Sequence, residues 1–399
     1  MALVVRRTFT KVTGNIRPTV AASVKFLVLL LPLLLLTLMP AGLRAQSITK
    51  RIDAVVANWK LKHGPGMAAL LVRDGKVEYR KAFGLADMDA RTPITPDTQF
   101  LLASITKQFA AMAIMILAER GKLQFDDPLA KFCPEFPAYA RTITIRNLLN
   151  HTAGLTQYQE LLVGKVDGDY FRSSKSPPAA HEFTAAEALQ ALSRQEKLRF
   201  PPGEKFEYSD SAYVVLGQII ERVTGKRYAE FLKETIFDPL GMSDTLVVDE
   251  RKQKVPRLAL DYVMRDGRWQ DITYSPENHI YGEDDIYSTV NDLYKWDQVL
   301  YTERLVRRST LEMAFTPGRT NDGKEIETDI MLRPSSYGFG WFIGSLDGDK
   351  DEEHLGGWSG YITDILRVPS RQVTAIVLTN ASNDEVLEIA EQMVEIAGK

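Results

Sequence analysis

The sequence has a single cysteine, Cys133, among its 399 residues. One cysteine excludes an intrachain disulfide and a cysteine metal cluster, and its simplest role is that of a small buried hydrophobe. Histidine is scarce as well. The five histidines (His63, His151, His181, His279 and His354) show no His-x-x-x-His or His-Glu-x-x-His spacing, so no zinc-binding helix is expected. There is no basic block and no basic–aromatic ladder, and the net charge is −3, which argues against nucleic acid as a partner. Internal repeats and low-complexity linkers are absent too. The acidic run from Asp347 to Glu353 resembles the start of a calcium loop. It lacks the glycine at the sixth position and the glutamate at the twelfth, and reads as a solvated turn.

What remains is an ordinary globular composition, 45% hydrophobic and 25% charged, with ample material for a core. The N-terminus is distinct. Arg6, Arg7 and Lys11 precede an uncharged apolar run from Phe26 to Met39, and Leu43-Arg44-Ala45 offers a small residue for cleavage. Residues 1–45 therefore read as a signal peptide or an uncleaved N-terminal membrane anchor. The protein is expected to be exported, periplasmic or secreted, or anchored to the inner membrane. Contact with a membrane is expected only through this segment.

Beyond it, a helix is expected from about residue 48 to 62. Met67–Arg73 and Val77–Phe83 read as strands joined by Asp74-Gly75, a hairpin signal. Helical patterns with long loops follow to about residue 330. They include Ser211–Thr224, closed by Gly225, and Asp292–Leu300. Strand patterns return at Tyr337–Ile343, Tyr361–Val368 and Gln372–Thr379, before a closing helix from Asn383 to Ile396. Strands at both ends with helices between imply an α+β fold. The ends pair in one antiparallel sheet, and a mainly helical lobe spans about residues 104–330. Residues 46–399 are one domain with two lobes.

The chemistry starts at Ser104-Ile105-Thr106-Lys107. On an α-helix the two outer side chains sit on one face, about 60° apart. A serine hydroxyl is a poor nucleophile until something takes its proton. A lysine does that only where burial or a neighbouring cation keeps it neutral. Phe109 to Ala118 is apolar all round, the pattern of a core helix. The same tetrapeptide occurs at Ser47-Ile48-Thr49-Lys50, where it opens an amphipathic segment and reads as a cap with a solvated lysine. Three further segments accompany the second copy: His151-Thr152-Ala153-Gly154-Leu155, Tyr208-Ser209-Asp210 before an apolar helix, and His354-Leu355-Gly356-Gly357-Trp358 at a late strand. A phenol at Tyr208 can relay a proton or simply fill a loop corner. Glycines in a strand permit close approach of a ligand or mark a bulge.

In this order and spacing, these segments resemble the serine hydrolases of the β-lactamase and penicillin-binding protein superfamily, on the class C, esterase and D-aminopeptidase side. The resemblance covers roughly residues 48–397. It implies a β-lactamase/transpeptidase-like fold and an acyl-serine mechanism without metal or organic cofactor. Ser104 is implied as nucleophile, with Lys107 and Tyr208 moving its proton, or with Lys107 as the base and Tyr208 as a hydrogen-bond partner. The oxyanion is implied to rest on the backbone N–H groups of Ser104 and Gly357.

The sequence departs from that pattern in three places. Asp210 stands where relatives usually carry asparagine. Its charge favours the charged form of Lys107, which hampers a base. His354-Leu355-Gly356 replaces Lys-Thr-Gly, removing a fixed cation that would anchor a substrate carboxylate. Asp284 and Asp285 replace small glycines beside Ile286-Tyr287-Ser288-Thr289. With Asp210 they either make the pocket acidic and favour substrates with a free amine, or are solvated or cap the helix beginning near Ser288. Asp210, His354, Gly356, Asp284 and Asp285 are thus the candidate substrate-binding residues. The expected substrate is a small molecule or short peptide cleaved at an ester or amide bond. Esterase or D-amino-acid peptidase activity is favoured over β-lactamase activity. The competing reading is a catalytically weak penicillin-binding-like module that recognises cell-wall peptides.

Overall fold

The computed structural model describes residues 41–59, 64–163, 184–248, 253–273, 280–358, 360–382 and 385–398. Residues Ile48–Lys399 form one compact unit. The arginine pair and the apolar run 26–39 lie outside the described residues, as do His63, His181 and His279. Among the described residues, no helix is long and apolar enough to cross a membrane. The first described helix, α1 (Ala41–Val55), starts seven residues before the expected position and already includes Leu43-Arg44-Ala45.

The scaffold is a seven-stranded antiparallel sheet. In chain order its strands are β1 (Met67–Arg73), β2 (Lys76–Phe83), β3 (Ser336–Tyr337), β4 (Phe342–Leu346), β5 (Asp349–Trp358), β6 (Tyr361–Val368) and β7 (Val373–Thr379). They lie in the order β3-β4-β5-β6-β7-β1-β2, so the two ends of the chain meet where β7 pairs with β1. The expected antiparallel pairing of the ends is therefore present. The β1–β2 turn uses Asp74 and Gly75, both at positive φ (50° and 70°), the geometry that makes Asp-Gly a hairpin signal.

β1 is apolar from Met67 to Val72 because both of its faces are covered. Ala68, Leu70 and Val72 point into the core shared with the helical lobe. Met67, Ala69 and Leu71 point to the opposite face. There α1 contributes Ile48 and Ile52, and the closing helix α6 (Glu385–Gly398) contributes Val386, Ile389, Ala390 and Met393. The exposed Lys50 lies on α1, as expected for the solvated copy of the tetrapeptide.

On the lobe side runs α2 (Thr106–Glu119), with every residue from Thr106 to Leu117 buried. Around it stand α3 (Ile145–Leu149), α4 (Asp210–Thr224) and α5 (Val290–Val299). The lobe is not purely helical. A small sheet joins Phe100–Leu101 to Ile286–Ser288 and Leu246–Val247. This pairing places the loop before Ile286 directly beside the turn that carries Ser104.

Two strand readings change. Tyr337–Ile343 is two strands, β3 and β4, joined through Gly338 to Trp341, with Tyr337 opposite Phe342. The acidic run is a turn only at Asp347-Gly348. From Asp349 onward it is strand β5, and Asp351, Glu352 and Glu353 are buried. Their charges are met by arginines supplied from elsewhere in the fold: Arg333 pairs with Asp351 and Glu353, and Arg367 with Glu352.

Candidate active site

Ser104 lies in a short 3₁₀ turn, Ala103–Ile105, immediately before α2. With three residues per turn, side chains at i and i+3 nearly eclipse, so Lys107 comes closer in line with Ser104 than an α-helix alone would bring it. The Lys107 ammonium donates to the Ser104 hydroxyl at 3.0 Å. Ala103, just before the serine, holds a left-handed φ of 48°. Non-glycine residues seldom adopt this conformation, and it costs roughly 1–3 kcal/mol. Such strain persists only where the surroundings fix it. Here Leu102 N–H donates to the Ile286 carbonyl at 2.8 Å, and the Thr363 hydroxyl donates to the Leu102 carbonyl at 2.8 Å.

Lys107 is fully buried. Its ammonium lies 2.9 Å from the Asp210 carboxylate and 3.4 Å from that of Glu283, and donates to the Glu283 carbonyl at 3.1 Å. Burial alone pulls this amine down. Asp210, Tyr208 and Glu283 together outweigh burial and hold it well above the usual lysine value. Asp210 thus acts on Lys107 in the direction anticipated, favouring the charged amine.

The segment Tyr208-Ser209-Asp210 is held at both ends. His151 Nδ1 accepts from the Ser209 N–H at 3.0 Å, and the Gln157 side chain accepts from the Asp210 N–H and donates to the Tyr208 carbonyl. His151 is buried, and its ring lies tilted against that of Tyr208 with centres 4.3 Å apart, so it braces the loop. The Lys107 ammonium sits 5.1 Å from the centre of the Tyr208 ring. Burial pushes the Tyr208 phenol up, and the nearby Lys107 charge and Ser104 hydroxyl draw it back, leaving it at about 12. No hydrogen bond of ordinary geometry reaches its hydroxyl, which is sealed from solvent.

Ser104, Tyr208 and Asp210 open onto a cavity of about 220 Å³. Glu283 and Asp284 form an acidic wall. Phe342, Leu355, Gly357 and Trp358 also line the cavity, together with the exposed Ile330. β4 stops pairing with β5 at Phe342–Glu353, so the last five residues of β5 leave one edge open towards the serine turn.

His354 also lines the cavity, but not as a cation. Its Nδ1 lies 2.6 Å from the Leu355 carbonyl, which can only accept, so Nδ1 carries the proton. Its Nε2 then accepts from the Tyr337 hydroxyl at 3.1 Å. Burial and the Lys107 charge lower His354 to about 3. The lost cation anticipated at this position is thus not replaced.

Gly356 and Gly357 differ. A Cβ on Gly356 would stand 2.1 Å from the Leu102 carbonyl oxygen, whereas one on Gly357 would meet nothing nearer than 3.7 Å. The close approach that Gly356 permits is to protein backbone, and Gly356 is not among the residues lining the cavity.

The loop before Ile286 holds the largest departure from expectation. Asp284 and Asp285 are neither solvated nor helix caps; both are buried. α5 is capped by Thr289, which accepts from the Asp292 N–H at 3.1 Å. Asp285 does not line the cavity, and its carboxylate accepts from the Gly282 N–H at 3.4 Å. Asp284 does line it. The residue missed by sequence reasoning is Glu283, which accepts from the Tyr158 hydroxyl at 2.7 Å. Burial, then the Asp210 charge, raises its carboxyl to about 8 despite Lys107. Three successive acids running into a buried strand were the available signal. Among the described residues, no group of three or more histidines, cysteines or acids is arranged to hold a metal.

The comparisons with known proteins bear on the family and the fold. The Beta-lactamase family model matches residues 51–397. The chain is 31% identical to penicillin-binding protein 4* of Bacillus subtilis (strain 168) over 359 residues, which is 86% of this chain and 74% of that protein. The octameric penicillin-binding protein homologue from Pyrococcus abyssi superposes with a TM-score of 0.73 at 29% identity, covering 90% of this chain and 78% of that one. D-amino acid amidase from Ochrobactrum anthropi SV3 shares the fold, with a TM-score of 0.70 at 24% identity over 89% of this chain and 98% of that one. With a buried lysine bonded to a serine that lines an open cavity, on this fold, the chain belongs to the β-lactamase family and is a serine hydrolase of the β-lactamase and penicillin-binding protein superfamily.

Proposed function

We propose that the protein is an exported hydrolase that cleaves ester or amide bonds of small molecules or short peptides through an acyl-serine intermediate. Ser104 Oγ attacks the carbonyl carbon. Once one of Lys107 and Tyr208 has released its own proton, the serine proton passes to that pair and then to the leaving oxygen or nitrogen as the carbonyl bond to that atom breaks. The backbone N–H groups of Ser104 and Gly357 receive the oxyanion. Water then attacks the acyl carbon and returns Ser104 to its hydroxyl form. Asp210, His354 and Asp284 contact the substrate, while Gly356 and Asp285 shape the walls behind it. No cofactor or nucleic acid takes part. Residues 1–45 act as leader or anchor, and 46–399 as the hydrolase domain.

The observation that carries this reading is the 3.0 Å contact between the Lys107 ammonium and the Ser104 hydroxyl at the edge of the cavity. Esterase or D-amino-acid peptidase activity is favoured over β-lactamase activity, because neutral His354 offers no charge to a β-lactam carboxylate. The test is covalent labelling with a fluorophosphonate, wild type against Ser104→Ala. Labelling of the wild type alone supports the reading; equal labelling of both, or of neither, refutes it. A second reading, a catalytically weak module that recognises cell-wall peptides, is favoured by the two carboxylates that hold Lys107 charged. It predicts labelling slow enough to be limited by deprotonation, together with tight binding of short peptides.

A further inference from the structure

The acidic wall of the cavity has a property that its charge alone does not give. Asp284 is 1% exposed and lines the cavity, and neither of its carboxylate oxygens has a hydrogen-bond partner. Buried polar groups are ordinarily satisfied, so one left open at a cavity wall points to a ligand that satisfies it. The neighbouring charges do not fill that need. Lys107 is already shared between Asp210 at 2.9 Å and Glu283 at 3.4 Å, and His354 is neutral and hydrogen-bonded at both nitrogens. Three carboxyl groups, Asp210, Glu283 and Asp284, therefore stand around one lysine. Burial, with the charges of Glu283 and Asp285, pushes the Asp284 carboxyl well up, and a cation placed against it would reverse that trend.

We propose that Asp284 is the receptor for a primary ammonium group on the substrate, beside the reacting carbonyl. The protein would then act on amino-acid esters and amides whose α-amine is free. Size supports the placement. A cavity of about 220 Å³ lies below the roughly 300–1,000 Å³ of drug-sized pockets. Ser104 and Asp284 both line it, so a small ligand in this one cavity can meet both. An ammonium brings three donors and a full charge to the open carboxylate. The aromatic and aliphatic surfaces of Phe342, Leu355 and Trp358, which line the same cavity, suit an apolar side chain on the same substrate. An N-acylated substrate would place a neutral amide against a buried acid and forfeit the ion pair. Of the two aspartates singled out in the sequence, the structure assigns this role to Asp284 and not to Asp285.

This inference rests on the hydrolase reading, and the experiment separates the two. The full chain is assayed at about pH 6.5, below the free α-amine range of about 7.7–8.0. D- and L-alanine methyl esters are compared with their N-acetyl forms. The free-amine substrate of at least one enantiomer is expected to show kcat/KM at least about tenfold above its N-acetyl form, the effect of one charge-assisted contact. In Asp284→Asn that ratio is expected to fall to near one, with an unchanged melting temperature as the check on folding. A ratio of one or less in the wild type overturns the proposal without need of any variant. An unchanged ratio in Asp284→Asn overturns it too. Failure of the wild type to hydrolyse p-nitrophenyl acetate or to be labelled would instead refute the hydrolase reading. The amine site is then read by calorimetry on Ser104→Ala with D- and L-alanine methyl ester. Binding that N-acetylation and Asp284→Asn both abolish supports it, and equal or absent binding overturns it.

Discussion

Replacing Asp210 by asparagine tests whether the site is latched by its own carboxylates. At 2.9 Å, two unit charges attract by about 6 kcal/mol at an effective dielectric of ~20. That is a ceiling on what Asp210 contributes to keeping Lys107 charged. Glu283 takes over part of it. Its carboxyl is raised to about 8, and the Asp210 charge is one cause of that rise, so removing the charge lets Glu283 ionise beside the lysine. If about a third of the ceiling survives this exchange, roughly 2 kcal/mol is lost to the charged lysine, and each 1.36 kcal/mol is tenfold in population. The Tyr208 phenol moves in the same direction, because Asp210 also helps to raise it. Whichever of the two groups takes the serine proton, Asp210→Asn should speed acylation at pH 7 by at least about tenfold. It should also shift the rising limb of the rate–pH profile to lower pH. The assay is the second-order rate of fluorophosphonate labelling between pH 5 and 9, with the melting temperature followed in parallel. Asp210 is in the first turn of α4, where a carboxylate adds about 0.3–1 kcal/mol, so some loss of stability is expected. A variant that remains folded but labels more than tenfold slower would refute the reasoning, because the carboxylate itself would then be needed for proton transfer.

Three further outcomes follow from the same geometry. Tyr208→Phe should lower ester hydrolysis by about 10²–10⁴-fold, the usual reach of a positioned acid or base. It should leave the melting temperature unchanged or raised, since the hydroxyl is sealed from solvent without a well-formed hydrogen bond; a drop in stability with activity retained would make the residue structural. Gly356→Ala should lower the melting temperature and the labelling rate together, because its Cβ would press on the Leu102 carbonyl at 2.1 Å, while Gly357→Ala, with no contact under 3.7 Å, should fold normally. Glu283 predicts a pH dependence of stability. Its carboxyl is raised to about 8 by burial and then by Asp210, so between about 4.5 and 8 the folded state holds a proton that the unfolded state has released. Stability therefore falls as pH rises through that window, and chemical denaturation of Glu283→Gln should show a shallower fall than the wild type.

Which parts of this could be read from the residues depended on how local their causes are. β1 and its hairpin are written in a short apolar run and an Asp-Gly pair, and α4 in an apolar pattern ending at Gly225. Those instructions act within a few residues. Tyr337–Ile343 misled because its aromatic residues suit a strand, while the reason for its turn is tertiary. A Cβ on Gly338 would meet the Ala314 carbonyl at 2.0 Å, and one on Gly340 would meet the Lys107 carbonyl at 2.9 Å, contacts that no local window contains. Asp351, Glu352 and Glu353 misled for a related reason. Charged residues are rarely buried unless paired, and Arg333 and Arg367 reach them only once the sheet has formed.

The acidic wall is the sharpest instance. Ser104 and Lys107 are three residues apart, so their pairing is close to a property of the turn. Asp210 joins them from a helix start more than a hundred residues away, and Glu283 from a loop further still. The short pairing of Phe100–Leu101 with Ile286–Ser288 delivers that loop. The serine–lysine pair is compatible with any hydrolase of this family. What the turn does not set is how many carboxyl groups the fold gathers around that single lysine, and that number is fixed by strand pairing. The substrate's charge is therefore the variable to change first: a cation that draws the carboxylates away from Lys107 would weaken the same latch that Asp210→Asn removes. Free-amine substrates should then gain in kcat as well as in KM, and should gain least in kcat in the Asp210→Asn variant. A gain confined to KM, equal in both proteins, would separate recognition of the amine from release of the lysine.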